Sequence, residues 1–151
     1  MDYYERRRLN AQLDELLGAR FYTQTRGGFT LCVRIGPGEQ ADFERLPNKP
    51  QPEGFAYVTG EKADEMGFFG NGIPDYCRDP VAMAPLIDAY GVEQVPSFHK
   101  DGTVSHWDAA IYPVDSERGE QSPWAQANEE RLVAIARVLV EYLGGSAHGV
   151  E

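Results

Sequence analysis

Two of the three histidines of the chain, His99 and His106, share one short stretch with Asp108 around an Asp101-Gly102 turn signal. Asp-Gly between β-prone runs predicts a two-residue type I′ hairpin over Pro96–Lys100 and Thr103–Tyr112. Counting back from that turn pairs Lys100 with Thr103, His99 with Val104, Phe98 with Ser105, and Ser97 with His106. Side chains alternate along a strand, so Ser97, His99, Val104, His106 and Asp108 share one face. Phe98, Ser105, Trp107 and Ala109 then share the other. Two imidazoles and a carboxylate on one face are the donor types that hold zinc or another divalent metal. They are also a base with its orienting carboxylate. The same pattern describes a polar sheet side facing water. No HExxH, cysteine cluster or third strong ligand accompanies it. The reading is therefore a chain without catalytic residues, cofactor or resident metal. A small-ligand or metal-binding protein built on His99, His106 and Asp108 stands as the alternative.

Cys77 is the other chemically suggestive residue. It lies just before a helix start, where the dipole favours a thiolate. A buried thiol filling a loop–helix junction is the competing reading and the one adopted. Asp75 and Asp79 are spaced like metal ligands, but the DxDxDG pattern of a calcium loop is absent. Gly36-Pro37-Gly38 lacks the lysine and helix of a phosphate-binding loop, and Gly67–Gly72 follows no buried parallel strand.

These residues need a frame. Leu9, Leu13, Leu16 and Leu17 form one helical stripe over residues 2–17, and Gly18 stands at C′. With Glu5, Asp14 and Glu15 nearby, Arg6-Arg7-Arg8 reads as a solvated helix face. Phe21–Thr25 and Phe29–Ile35 form a hairpin about Gly27-Gly28, with Phe29, Leu31, Val33 and Ile35 on a buried face and Cys32 on the other. Residues 36–54 are broken by glycine and proline and hold at most one turn of helix. Phe55–Thr59 is a short strand, followed by an acidic, glycine-rich loop from Glu61 to Gly72. Asp79 caps a helix beginning at Pro80 and ending near Tyr90, with Pro85 predicting a kink or late start. Ser122-Pro123 opens a last helix, with Leu132, Ile135, Ala136, Leu139, Val140 and Leu143 buried and Gly144-Gly145 closing it.

The expected class is α+β: a small antiparallel sheet, two hairpins plus a short strand, packed with three helices in an α-β-α layered arrangement. A chain of 151 residues suits one domain, with an N-terminal α-hairpin-containing lobe over 1–60 and an αββα module over 73–145.

From Ile73 onward the pattern resembles small bacteriophage proteins of the phage ABA-sandwich and NinX-like groups. The residues that carry this are Ile73-Pro74-Asp75-Tyr76-Cys77-Arg78-Asp79, the helix through Leu86-Ile87, Trp107 in the hairpin, and Arg131–Leu143. The resemblance spans residues 73–143 and implies a phage or prophage origin and an α-β-α arrangement. It implies no reaction and no catalytic residues.

Charge points the same way. Residues 1–35 hold six arginines against four acids, a net +2, so with a total of −10 the remainder sums to −12. Such acidity disfavours nucleic acid and membrane surfaces, whose phosphates need cations. It suits a host protein with a basic surface, including one that normally holds nucleic acid; the competing reading is that the charge only keeps the protein soluble. No apolar run is long enough to span a bilayer and the two cysteines form no CxxC pair, which suits the host cytoplasm. The candidate partner-binding residues are Glu61, Asp64, Glu65, Phe68, Phe69, Tyr76, Asp115, Glu117, Glu120 and Trp124. The reading is an acidic phage accessory protein that docks on a nucleic-acid-handling or antiviral defence complex and inhibits it.

Overall fold

The first helix begins where Asp2 can accept a hydrogen bond from the Glu5 amide, and it ends where Gly18 turns the chain at φ +111°. The computed structural model describes residues 1–66, 72–112 and 124–145. The chain divides into two compact units, Met1–Pro74 and Asp75–Glu151.

In the first unit, helix α1 (Tyr3–Leu16) precedes a hairpin of β1 (Arg20–Arg26) and β2 (Phe29–Ile35). Gly27 and Gly28 both take positive φ, as a two-residue type I′ turn demands, and Arg26 pairs with Phe29 across it. One turn of helix, α2 (Asp42–Arg45), interrupts the loop. Strand β3 (Ala56–Val58) then joins the free side of β1 in an antiparallel sheet of order β2-β1-β3. Helix α3 (Gly60–Glu65) follows, capped by Thr59, in part of the stretch expected to be loop. It packs on α1 because residue 60 is glycine: a Cβ there would sit 2.6 Å from the Ala11 carbonyl oxygen.

The expected face is buried only at one end of the hairpin, where Ile35 and Tyr22 are covered, and the opposite face carries a second part of the core. Phe21 pairs with Arg34 and Thr23 with Cys32, and this face packs with Ala19, Ala63, Val58 and Ile73. Cys32 is half-buried against this core, whereas Phe29 and Leu31 are 76% and 58% exposed. Strand alternation identifies residues that share a face; it does not say which face is covered. The aromatic set Tyr22, Phe43, Phe55 and Tyr57 packs ring on ring, covering only part of the other face. Leu16, expected in the buried stripe of α1, is exposed in its last turn.

In the second unit, the Asp79 side chain accepts from the Val81 amide at 2.9 Å and starts α4 (Pro80–Tyr90), which Gly91 ends at φ +61°. Pro85 neither delays nor splits this helix. The hydrogen bond that Pro85 cannot make belongs to the Val81 carbonyl, in an exposed first turn. Strands β4 (Glu93–Phe98), β5 (Val104–Ile111) and β6 (Trp124–Asn128) form a second antiparallel sheet in that order. Helix α5 (Arg131–Gly145) packs on β5 and β6 and buries Val133 to Ala136, Val138 and Leu139.

Two local expectations fail here. Trp124–Asn128 is a strand rather than the opening of the last helix, which starts only after the Asn128 side chain accepts from the Glu130 amide. Pairing with β5 overrides the helix preference of Ala-Gln-Ala, because strand residues are decided by their neighbours. The second hairpin has a three-residue loop: the Gly102 amide bonds the His99 carbonyl, and the His99 amide bonds the Thr103 carbonyl. Type I′ needs positive φ at both central residues; among Asp101 and Gly102 only the glycine has it, at +89°. Phe98 therefore pairs with Val104, and a bulge at Ser105 restores the expected Ser97–His106 pair. The α+β class holds, with helices packed on small antiparallel sheets. The strands divide into two sheets of three rather than forming one.

Candidate interaction surface

The His–His–Asp set comes apart at the turn. His106 Nε2 lies 3.5 Å from Asp108 Oδ2, and its Nδ1 lies 3.3 Å from the Ser105 hydroxyl. His99 is spent on the base of the turn through its backbone and its ring is exposed. Among the described residues no group of three or more His, Cys, Asp or Glu is placed to hold a metal ion. This histidine–aspartate pair is half-exposed on the sheet.

The segment around Cys77 is built for packing. Tyr76 and Cys77 are both buried, and the Asp79 amide donates to the Asp75 carbonyl at 2.7 Å ahead of α4. Asp79 spends its carboxylate on the helix cap. Tyr76 is therefore covered rather than offered to a partner. Trp124 is half-buried against Tyr142, ring centroids 4.9 Å apart. Phe68, Phe69, Asp115, Glu117 and Glu120 lie outside the described residues.

Of the acids proposed to meet a partner, Glu61, Asp64 and Glu65 are engaged within the first unit. Asp64 accepts from Arg7 at 2.8 Å, Glu61 lies 3.7 Å from Arg8, and Glu65 lies 3.9 Å from Lys62. Arg7 is thus no solvated cation: it ties α1 to α3 and lies over the exposed rings of Tyr3 and Tyr4. Comparison with protein-family models, with curated proteins and with solved structures gave no match. No helix among the described residues is long and apolar enough to cross a membrane.

Two further ion pairs of this unit were hidden from sequence. Asp14 is fully buried and takes a bidentate contact from Arg34 at 2.6 and 2.8 Å, joining α1 to β2. Glu44 accepts from Arg20 at 2.8 and 3.1 Å, from the Tyr57 hydroxyl at 2.7 Å and from the Ala41 amide at 3.0 Å. Hydrogen bonds from Arg20 first, and then from Tyr57, pull its carboxyl down to about 2. Partners 20, 24 and 57 residues apart leave no short-range pattern to read.

The second unit is different. It holds 13 acids (Asp75, Asp79, Asp88, Glu93, Asp101, Asp108, Asp115, Glu117, Glu120, Glu129, Glu130, Glu141 and Glu151) against five bases, net −8. The first holds 11 against nine, net −2. Asp88, Glu93 and Glu129 are exposed and make no ion pair among the described residues. The excess acidity is concentrated where cations are scarce.

Proposed function

We propose that this chain is a non-enzymatic, acidic accessory protein of a phage or prophage that binds a host protein at a basic surface of that protein. The observation that carries the reading is the charge separation: net −8 in Asp75–Glu151 and net −2 in Met1–Pro74. A field of one sign steers a partner of the other sign and disfavours phosphate-bearing ones. Host proteins that hold nucleic acid, antiviral defence complexes among them, carry such a basic surface, and carboxylates there would block it. The likeness of residues 73–143 to small phage proteins supports the origin.

The experiment is capture from bacterial lysate on the immobilised full chain, with nucleic acid as competitor. The expected result is retention of a basic protein that added DNA or RNA displaces. Retention of nothing, or only of proteins indifferent to nucleic acid, would refute the reading.

A further inference from the structure

The second sheet has one face covered by α5 and one on which exposed and half-buried residues mix. Ala109 and Ile111 of β5 are buried, Arg131 of α5 lies over the Trp107 ring, and Gln126 donates to Glu141 of α5 at 2.6 Å. Trp107, Ala109, Ile111 and Gln126 therefore face the helix. Alternation and register put Glu93, Val95, His106, Asp108, Ala125 and Ala127 on the other face. There Val95 is 57% exposed, and Glu93, Asp108, Ala125 and Ala127 are exposed as well.

We infer that this outer face of β4-β5-β6 is a docking surface for a cationic amphipathic helix of a partner protein. The inference rests on the binding function proposed above and gives it a location. Three properties select that occupant. Asp108 sits directly between Val95 and Ala127 in the pairing, and Glu93 on the edge strand pairs with Ala110, so one carboxylate lies within the apolar patch and one at its edge. Neither Glu93 nor Asp108 pairs with a lysine or arginine among the described residues, where Asp108 has His106 as its ionic neighbour. Alanines at 110, 125 and 127 leave a shallow floor over which a helix backbone can lie close. The opposite face is covered by a helix of this chain, so a helix is the layer this face lacks. The lysines or arginines of the incoming helix meet Asp108 and Glu93, and its apolar side rests on Val95 and the alanines.

The probe is a fluorescein-labelled lysine–leucine amphipathic peptide of about 18 residues, long enough for helix formation, titrated with the full chain and followed by anisotropy. Its glutamate–leucine counterpart is the control. The expected result is binding of the basic peptide only, weakened about tenfold by Asp108→Lys and also weakened by the charge-neutral Val95→Ser. Glu141→Lys, on the helix covering the opposite face, makes the same charge change and should leave binding within about twofold. Circular dichroism checks that each variant is folded. Equal loss with Asp108→Lys and Glu141→Lys, with Val95→Ser silent, would mean diffuse attraction: this surface is then wrong while the binding function stands. No binding of the basic peptide to the unaltered chain overturns the surface, and the lysate competition decides the function separately.

Discussion

Asp14 and Arg34 show how much one contact can carry in a small unit. The carboxylate has no exposed surface, and its two oxygens are both engaged by one guanidinium. Such a pair gains little or nothing over a well-packed apolar replacement, but removing one partner strands the other charge. Arg34→Ala should therefore cost about 3–5 kcal/mol, read as a lowered midpoint in urea. Glu44 makes a pH-dependent contribution. Its carboxyl titrates near 2 in the folded chain, against 4.5 ordinarily. A depressed folded value means stabilisation present above about 4.5 and lost as pH falls toward 2. Urea midpoints should fall across that window, and Glu44→Gln should flatten that part of the profile. An unchanged slope in the variant would show that other carboxylates govern the acid limb.

At the scale of elements, the two hairpins separate what a turn dipeptide does and does not specify. Gly27-Gly28 can supply two positive φ angles and gives the tight turn; Asp101-Gly102 supplies one and gives the longer loop. Glycine also sets the approach of α3 to α1. Gly60→Ala places a methyl 2.6 Å from the Ala11 carbonyl, a backbone atom that cannot rotate away. The expected loss is about 1–3 kcal/mol in chemical unfolding. The cap of α4 is milder: Asp79→Ala removes one exposed bond to the Val81 amide and should cost about 1 kcal/mol. A thermal melt that ranks these two the other way round would contradict the packing described for Gly60.

For the whole molecule, the division of charge is the property with the longest reach. Opposed acids and bases tie the first unit together internally, through Arg7, Arg20 and Arg34. In the second, Asp88, Glu93 and Glu129 are exposed and make no ion pair among the described residues. Binding of a basic partner should therefore weaken steeply between about 0.1 M and about 1 M salt, as the Debye length falls from about 10 Å to about 3 Å. Anisotropy or calorimetry at several ionic strengths reads this directly. Salt-insensitive binding would place the energy in apolar contacts, with Phe29, Leu31 and Tyr57 of the first sheet as the exposed group to examine next.

Local signals in the sequence were sufficient for the first helix, the capped start at Asp79, the first hairpin and the α+β class. Each rests on interactions a few residues apart: a stripe at helical spacing, an aspartate before Pro80, two glycines between β-prone runs. The Ser97–His106 pair was legible too, although through a turn of the wrong length whose error the Ser105 bulge cancels. What needed tertiary structure was the choice among locally equivalent options. Cys32 is half-buried and Phe29 exposed because Ala63 of α3 packs on the side of Phe21 and Cys32, a fact no strand pattern encodes. Trp124–Asn128 is a strand because β5 offers it a free edge. Asp64 and Arg7 left the list of outward charges because helices distant in sequence bring them together. One extra loop residue changes the register at His99, and among the described residues His99, His106 and Asp108 do not form a group placed to hold a metal ion. Sequence therefore determined which residues are charged, apolar or turn-forming, and folding decided which of them remain available to a partner, since availability is set by what packs on top.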